Sequence, residues 1–252
     1  MISELTLQAG IDIPFPDAQL IIHPPTIREI GYIGEEAFFT GSQILSFSKD
    51  LLADMDKINL ESKSDFEIFM SILNDGSDMT KSTRENIFSV LLLMFPTYDI
   101  KVLPQGITFI KSMDDDKTPH FISEMNFDLF KEYVQEILCS DILKGKKGES
   151  DYNPEGALAS KIAEKLKKAK MLKAKKNGDD KKSLSLLSRY VSILSVGMKK
   201  DKNQILDYTV FQLFDEFKRF ELKESNDMYW QAKIAGATGM QEVDNWMDDI
   251  HS

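Results

Sequence analysis

Between Asp201 and Lys223 the large apolar residues Leu206, Val210, Leu213, Phe214, Phe217 and Phe220 recur at steps of three and four. That spacing places them on one stripe of an amphipathic helix, and the stripe has to be buried against another apolar surface. An all-β architecture is therefore excluded at the outset. Asp201 with Gln204 three residues on reads as a helix N-cap and its partner. Phe211 falls beside the main stripe. The spacing predicts one helix through the whole stretch, with a second helical pattern over Asn226 to Ala237 before Gly236, Gly239 and a short tail around Trp246.

Upstream, the same reasoning places further elements. Residues 1 to 23, interrupted by Pro14 and Pro16, read as two short strands with Leu20 to His23 as the better of them. Thr26 and Glu29 form a capping box for a helix whose inner face is Ile27, Ile30, Ile33 and Phe38, with Gly31, Gly34 and Gly41 permitting a break or close packing. Further helices are predicted over Gln43 to Met55, from a Ser64/Glu67 box, over Ser82 to Met94 and from an Asn126 cap, the last with Phe127, Phe130, Val134, Ile137 and Leu138 inward. The period changes in between. Tyr98 to Leu103, Pro104-Gln105-Gly106 and Ile107 to Lys111 read as a hairpin, with His120 to Ile122 as a third strand. Ser183 to Val196 restarts a helix that has Gly197 placed for its C-cap. The predicted fold is mainly α with a small antiparallel β component (α+β). It divides into an N-terminal α+β module over 1–143, a Lys-rich, partly helical connector over 144–182, and a C-terminal helical module over 183–252.

Charge supports that division. Residues 144–182 hold 13 Lys against 6 acids, while the whole chain of 252 residues carries −10. A hydrophobic fraction of 42% supplies enough apolar surface for a core. The single Cys139 follows Ile137 and Leu138 on an apolar face and reads as a buried small hydrophobe. No export signal is visible at Met1 to Leu5. The longest apolar run, Val90 to Phe95, is far too short to span a bilayer, so no membrane association is expected. The acidic surface makes nucleic acid an unfavoured partner. The lysines of 161–182 are the one stretch suited to phosphate, and they lack aromatic residues for base stacking.

No constellation of residues points to catalysis. His23, His120 and His251 lack paired metal-ligand spacing, Asp114-Asp115-Asp116 lacks the alternating ligands of a calcium loop, and Gly76 to Ser82 has Thr80 where a phosphate loop needs glycine. The expectation is a protein that is not an enzyme and uses no metal and no cofactor. What the residues do offer is aromatic surface for a protein partner, at Phe211, Phe214, Phe217, Tyr229, Trp230 and Trp246. Core packing is the first explanation of each.

Ile205 to Phe220, Gln231 to Ala237 and Asp244 to Ile250, together with Pro25 to Ile30 and Ile33 to Phe38, resemble a family encoded in the tail-gene clusters of phages and prophages of Gram-positive bacteria, the tail assembly chaperones. These segments cover about a sixth of the chain, at its two ends. The resemblance implies a non-catalytic role: coating the tape measure protein in the host bacterial cytoplasm until tail tube protein polymerises around it. Self-association is compatible with that role. The alternative it leaves open is a structural tail or baseplate component retained in the virion.

Overall fold

Side-chain caps set most of the helix starts. In the computed structural model, which describes residues 2–46, 63–112, 117–140, 185–239 and 242–247, helix α1 (Glu4–Ala9) opens where Ser3 Oγ accepts from the Thr6 N–H, and it closes at Gly10 with φ +62°. This helix corrects the reading of residues 1–23 as strands alone. Six residues are too few for an apolar period to register. The two strands do form. β1 (Ile13–Phe15) pairs antiparallel with β2 (Leu20–Ile22) around a 3₁₀ turn at Pro16–Ala18, turning Ile13, Phe15, Leu20 and Ile22 into the core.

The Thr26/Glu29 capping box starts α2 (Ile27–Ile33), and Gly34, at φ +88°, separates it from α3 (Glu35–Leu45). The helix expected over Gln43 to Met55 therefore overlaps the end of α3. Its remainder lies outside the described residues. The Ser64/Glu67 box starts α4 (Asp65–Asn74). Next, α5 (Asp78–Met94) begins a turn earlier than the apolar pattern indicates and buries Ile87, Val90, Leu91 and Met94 completely.

Strands β3 (Tyr98–Leu103), β4 (Gly106–Lys111) and β5 (Pro119–Ile122) form an antiparallel meander with β4 central and Leu103 opposite Gly106 at the turn. Helix α6 (Phe127–Leu138) follows. Asn126 stands at its N-cap position, but its Oδ1 accepts from the Ser123 N–H and its Nδ2 donates to the Phe121 carbonyl, so it orders the preceding turn. Lys131 of α6 pairs with Asp65 of α4, which ties these helices together.

The C-terminal part holds α7 (Leu186–Gly197), α8 (Lys202–Leu206) and α9 (Val210–Ile234). Here the single helix expected from Asp201 to Lys223 is corrected. Asp201 does cap a helix, accepting from the Asn203 N–H, but that helix ends at Leu206. The chain breaks over 207–209, and Thr209 with Gln212 starts α9 as a second capping box. The break has a tertiary cause. The Tyr208 carbonyl accepts from the Ile27 N–H at 2.9 Å, and Thr209 bridges Thr26. A carbonyl turned sideways to another segment is not aligned along a helix axis. Once restarted, α9 runs for 25 residues and absorbs the helix predicted over Asn226 to Ala237.

Gly197 is the last residue of α7 rather than its cap. A methyl group there would lie 2.2 Å from the Phe220 ring, so the glycine serves close approach of α9.

The fold is thus mainly α with two small antiparallel sheets. Its core gathers Phe15, Phe38, Phe69, Phe95, Phe109, Phe127 and Phe130. The rings of Phe95 and Phe109 lie 4.5 Å apart and those of Phe69 and Phe127 5.0 Å apart. Leu187, Val191, Leu194, Ile205, Val210, Leu213 and Phe214 belong to the same buried cluster. The Lys-rich connector, the Asp114 to Asp116 run and His251 lie outside the described residues.

Candidate functional site at the outer half of the long helix

Helix α9 changes character along its length. Its inner half is consumed by packing. The Tyr190 ring of α7 stacks on Phe217 at 3.7 Å and 7°, and meets Phe214 edge-on at 5.5 Å and 88°. Phe211 and Phe214 are buried, at 8% and 5% exposure, and Phe217 is half-buried. Phe211, set beside the stripe by helical projection, is thus covered by the chain itself. Lys200, in the turn before α8, holds the assembly from the side by donating to Tyr208 Oη at 2.6 Å and Glu216 Oε1 at 3.3 Å. The Tyr208 hydrogen bond raises the Lys200 pKa, with Glu216 adding to it against a smaller effect of burial.

Beyond Phe220 the helix carries a different surface. Tyr229 is the one residue past Asp215 on α9 that is buried. Trp230 meets its ring edge-on at 5.5 Å and 80°, and Lys233 Nζ sits 5.1 Å from both ring centres while donating to Tyr229 Oη at 3.1 Å. The cation adds its attraction for the rings to that hydrogen bond. At 100° per residue, Arg219, Leu222, Asn226, Tyr229 and Lys233 share one stripe. Trp230 and Ile234 flank it on one side, and Met228 lies about 140° from its centre, on the far side of the helix. Met228, Trp230 and Ile234 are 62%, 51% and 84% exposed.

The chain then turns back. Gly236, at φ +92°, donates to the Lys233 carbonyl, and the Ala237 N–H reaches the Ala232 carbonyl at 3.0 Å. These two bonds are the Schellman pattern that ends a helix and reverses its direction. A second left-handed glycine, Gly239 at φ +74°, follows. The returning residues 242–247 run antiparallel to the helix. Asn226 Nδ2 donates to the Asp244 carbonyl at 3.4 Å, and Arg219 Nη1 donates to the Trp246 carbonyl at 3.3 Å. Trp246 keeps 37% exposure, and Met247 beside it keeps 68%.

Of the six aromatic residues singled out from the sequence, then, the structure brings Tyr229, Trp230 and Trp246 to this outer region and places Phe211, Phe214 and Phe217 in or against the core. Arg219, Asn226, Lys233 and Ile234 went unnoticed in the sequence. Lys233 followed by Gly236, a cation and then glycine at a helix end, was the available signal.

Elsewhere, two described histidines and the cysteine have structural surroundings. His23 sits between Asp12 and Glu29, at 2.9 Å and 3.3 Å. Burial alone would lower its pKa, but the Asp12 hydrogen bond and the Glu29 charge together hold it above 6.5. His120 Nδ1 contacts the Ala18 carbonyl, and Cys139 is buried. Among the described residues no group of three or more His, Cys, Asp and Glu side chains is arranged to hold a metal. No described helix is long and apolar enough to cross a membrane. A cleft of about 440 Å³ between α2, α7 and α8 is lined largely by apolar residues including Ile30, Leu187, Val191 and Leu206. Its carboxylate, Glu35, is spent on the N-terminus of α7, where it accepts from Ser185 Oγ and from the Leu186 and Leu187 N–H groups.

Residues 175–251, which include α7, α8, α9 and the returning segment, match the family model described as the YomV second domain, a phage-related domain. The match covers under a third of the chain. No curated protein and no solved structure matches it.

Proposed function

We propose that this chain is a non-catalytic phage tail assembly chaperone that holds the tape measure protein through the outer half of α9 until tail tube subunits take over. The observation that carries the reading is the exposed pair Trp230 and Ile234, side by side at the far end of a long helix, within the segment that matches a phage-related domain. Scattered single apolar residues on a surface are ordinary, whereas two large ones one turn apart on a helix face suit an amphipathic helical partner. Tryptophan in such a setting supplies large contact area at small cost in side-chain freedom. The formal charge of −10 keeps copies bound along one partner from coalescing. Its setting on this reading is the cytoplasm of the host bacterium.

The test is co-expression with the longest coiled-coil protein encoded nearby, followed by pull-down. The partner should become soluble and co-purify. A Trp230→Ala/Ile234→Ser double variant, both positions being exposed, should keep the wild-type circular dichroism and bind at least tenfold more weakly, since a tryptophan anchor contributes about 2 kcal/mol or more. A partner that stays insoluble and unbound overturns the proposal. Mass spectrometry of purified particles adds a second check. Stoichiometric presence in mature virions replaces the chaperone reading with a structural tail or baseplate component.

A further inference from the structure

The segment 242–247 has its own chemistry. It reads Glu242-Val243-Asp244-Asn245-Trp246-Met247, with two acids, a tryptophan and two other apolar side chains in six residues. The stripe it lies along presents Arg219, Asn226, the Tyr229 ring and Lys233, which are two cations, an amide and an aromatic face. The two surfaces are alike in apolar character and opposite in formal charge, with Arg219 also paired to Asp215 at 3.7 Å. The two hydrogen bonds that join them run from side chains seven residues apart on one helix face to carbonyls two residues apart on the returning segment, which turns at Trp246 and Met247. Both bonds are accepted by main-chain carbonyls, so another peptide that follows the same path is able to make the same pair. The Schellman turn at Gly236 delivers the segment to that stripe.

We propose that residues 242–247 are a built-in competitor: they occupy, within the same chain, a docking stripe on α9 whose external ligand is an acidic peptide segment bearing tryptophan or a comparable apolar anchor. The proposal rests on the reading of outer α9 as a partner site and adds the chemistry of the partner and the means by which the site is kept closed. A short tether holds a ligand at an effective concentration of about millimolar, enough to exclude weak ligands and to yield to one that makes further contacts on Trp230 and Ile234. All six residues of the strap keep solvent contact, which allows it to leave without disturbing the core.

The test uses no tape measure protein. A fluorescent peptide of residues 242–252 is titrated into the full chain and into a chain ending at residue 241. The shortened chain should bind the peptide and the full chain should bind it roughly tenfold more weakly, as expected for competition with a tethered copy. A Trp246→Ala peptide should lose binding, and added salt should weaken it. Equal binding by both chains, or binding by neither, overturns the proposal. A measurement on the full chain guards against a shortened chain that fails to fold. With Trp230→Phe leaving Trp246 as the sole tryptophan, acrylamide quenching should rise when Asn226→Leu is added. Unchanged quenching counts against a strap. A full chain that elutes as a dimer while the shortened one is a monomer makes the occupant a second copy, and this too overturns the intramolecular competitor. Failed co-purification with the tape measure protein leaves these outcomes standing, and a negative peptide titration leaves the chaperone reading standing.

Discussion

Gly41 gives the sharpest test of how α3 meets α5. A methyl group built on it lies 2.4 Å from the Asn86 carbonyl oxygen and 2.7 Å from Val90 Cγ2. Unstrained contacts of this kind sit near 3.5 Å or beyond, so the two helices must part by about 1 Å. Trimming Val90 does not relieve the clash, because the nearer atom belongs to the backbone. Overpacking of this sort costs about 1–3 kcal/mol, partly offset by about 1 kcal/mol from replacing glycine in a helix. The clash with a carbonyl places Gly41→Ala toward the unfavourable end, a net loss of about 1–2 kcal/mol.

Gly31, exposed in α2 with nothing within 4 Å of its added methyl, is the control. Its substitution by alanine should stabilise by up to about 1 kcal/mol. In urea, with a slope of about 2 kcal/mol per molar, the midpoint should fall by about 0.5–1 M for Gly41→Ala and rise for Gly31→Ala. Adding Val90→Ala to Gly41→Ala should not restore the midpoint. A Gly41→Ala protein that unfolds at or above the wild-type midpoint refutes the close backbone approach.

Other perturbations read different parts of the fold. Thr209→Ala removes a buried capping box that restarts α9, and should cost about 1–2 kcal/mol in chemical denaturation, with Thr209→Ser recovering most of it. A Tyr190→Ala, Phe217→Ala double-mutant cycle should return about 0.5–1.5 kcal/mol of coupling from the stacked pair. A result near zero means the rings are not paired in solution. His23 supplies a pH dependence. Its folded pKa is raised, so its contribution is complete below 6.5 and is lost as pH rises through the folded value. Glu29 is affected first by burial, which raises its pKa, but its hydrogen bonds with Thr26 and the nearby His23 lower the net value below 4.5. Its contribution is therefore lost as pH falls through the folded value. Thermal melts should show the His23→Gln deficit shrinking from pH 6 to pH 9, and a deficit independent of pH over that interval refutes the bridge.

Local chemistry was legible where local geometry decides. The Thr26/Glu29 and Ser64/Glu67 boxes depend on residues three apart, and both form as read. The hairpin from Tyr98 to Lys111 was legible because a period of two on either side of Pro104-Gln105-Gly106 fixes both strand and turn. Of the candidate site, the residue types were visible in Tyr229, Trp230 and Trp246, but their meeting place was not.

The amino-acid order by itself determined most of the helices and strands and the faces they bury, because hydrophobic period and capping act over a few residues. Only the tertiary structure decided the rest. The break at 207–209 exists because the Tyr208 carbonyl serves Ile27, a partner nearly two hundred residues away in sequence. Phe214 left the surface because Tyr190 of α7 meets its ring edge-on while stacking on Phe217, and Phe211 is buried in the same core cluster. The strap exists because a left-handed glycine turns the chain back onto Arg219 and Asn226. Each depends on groups distant in sequence satisfying one another's backbone, charge or apolar surface, which no local period encodes.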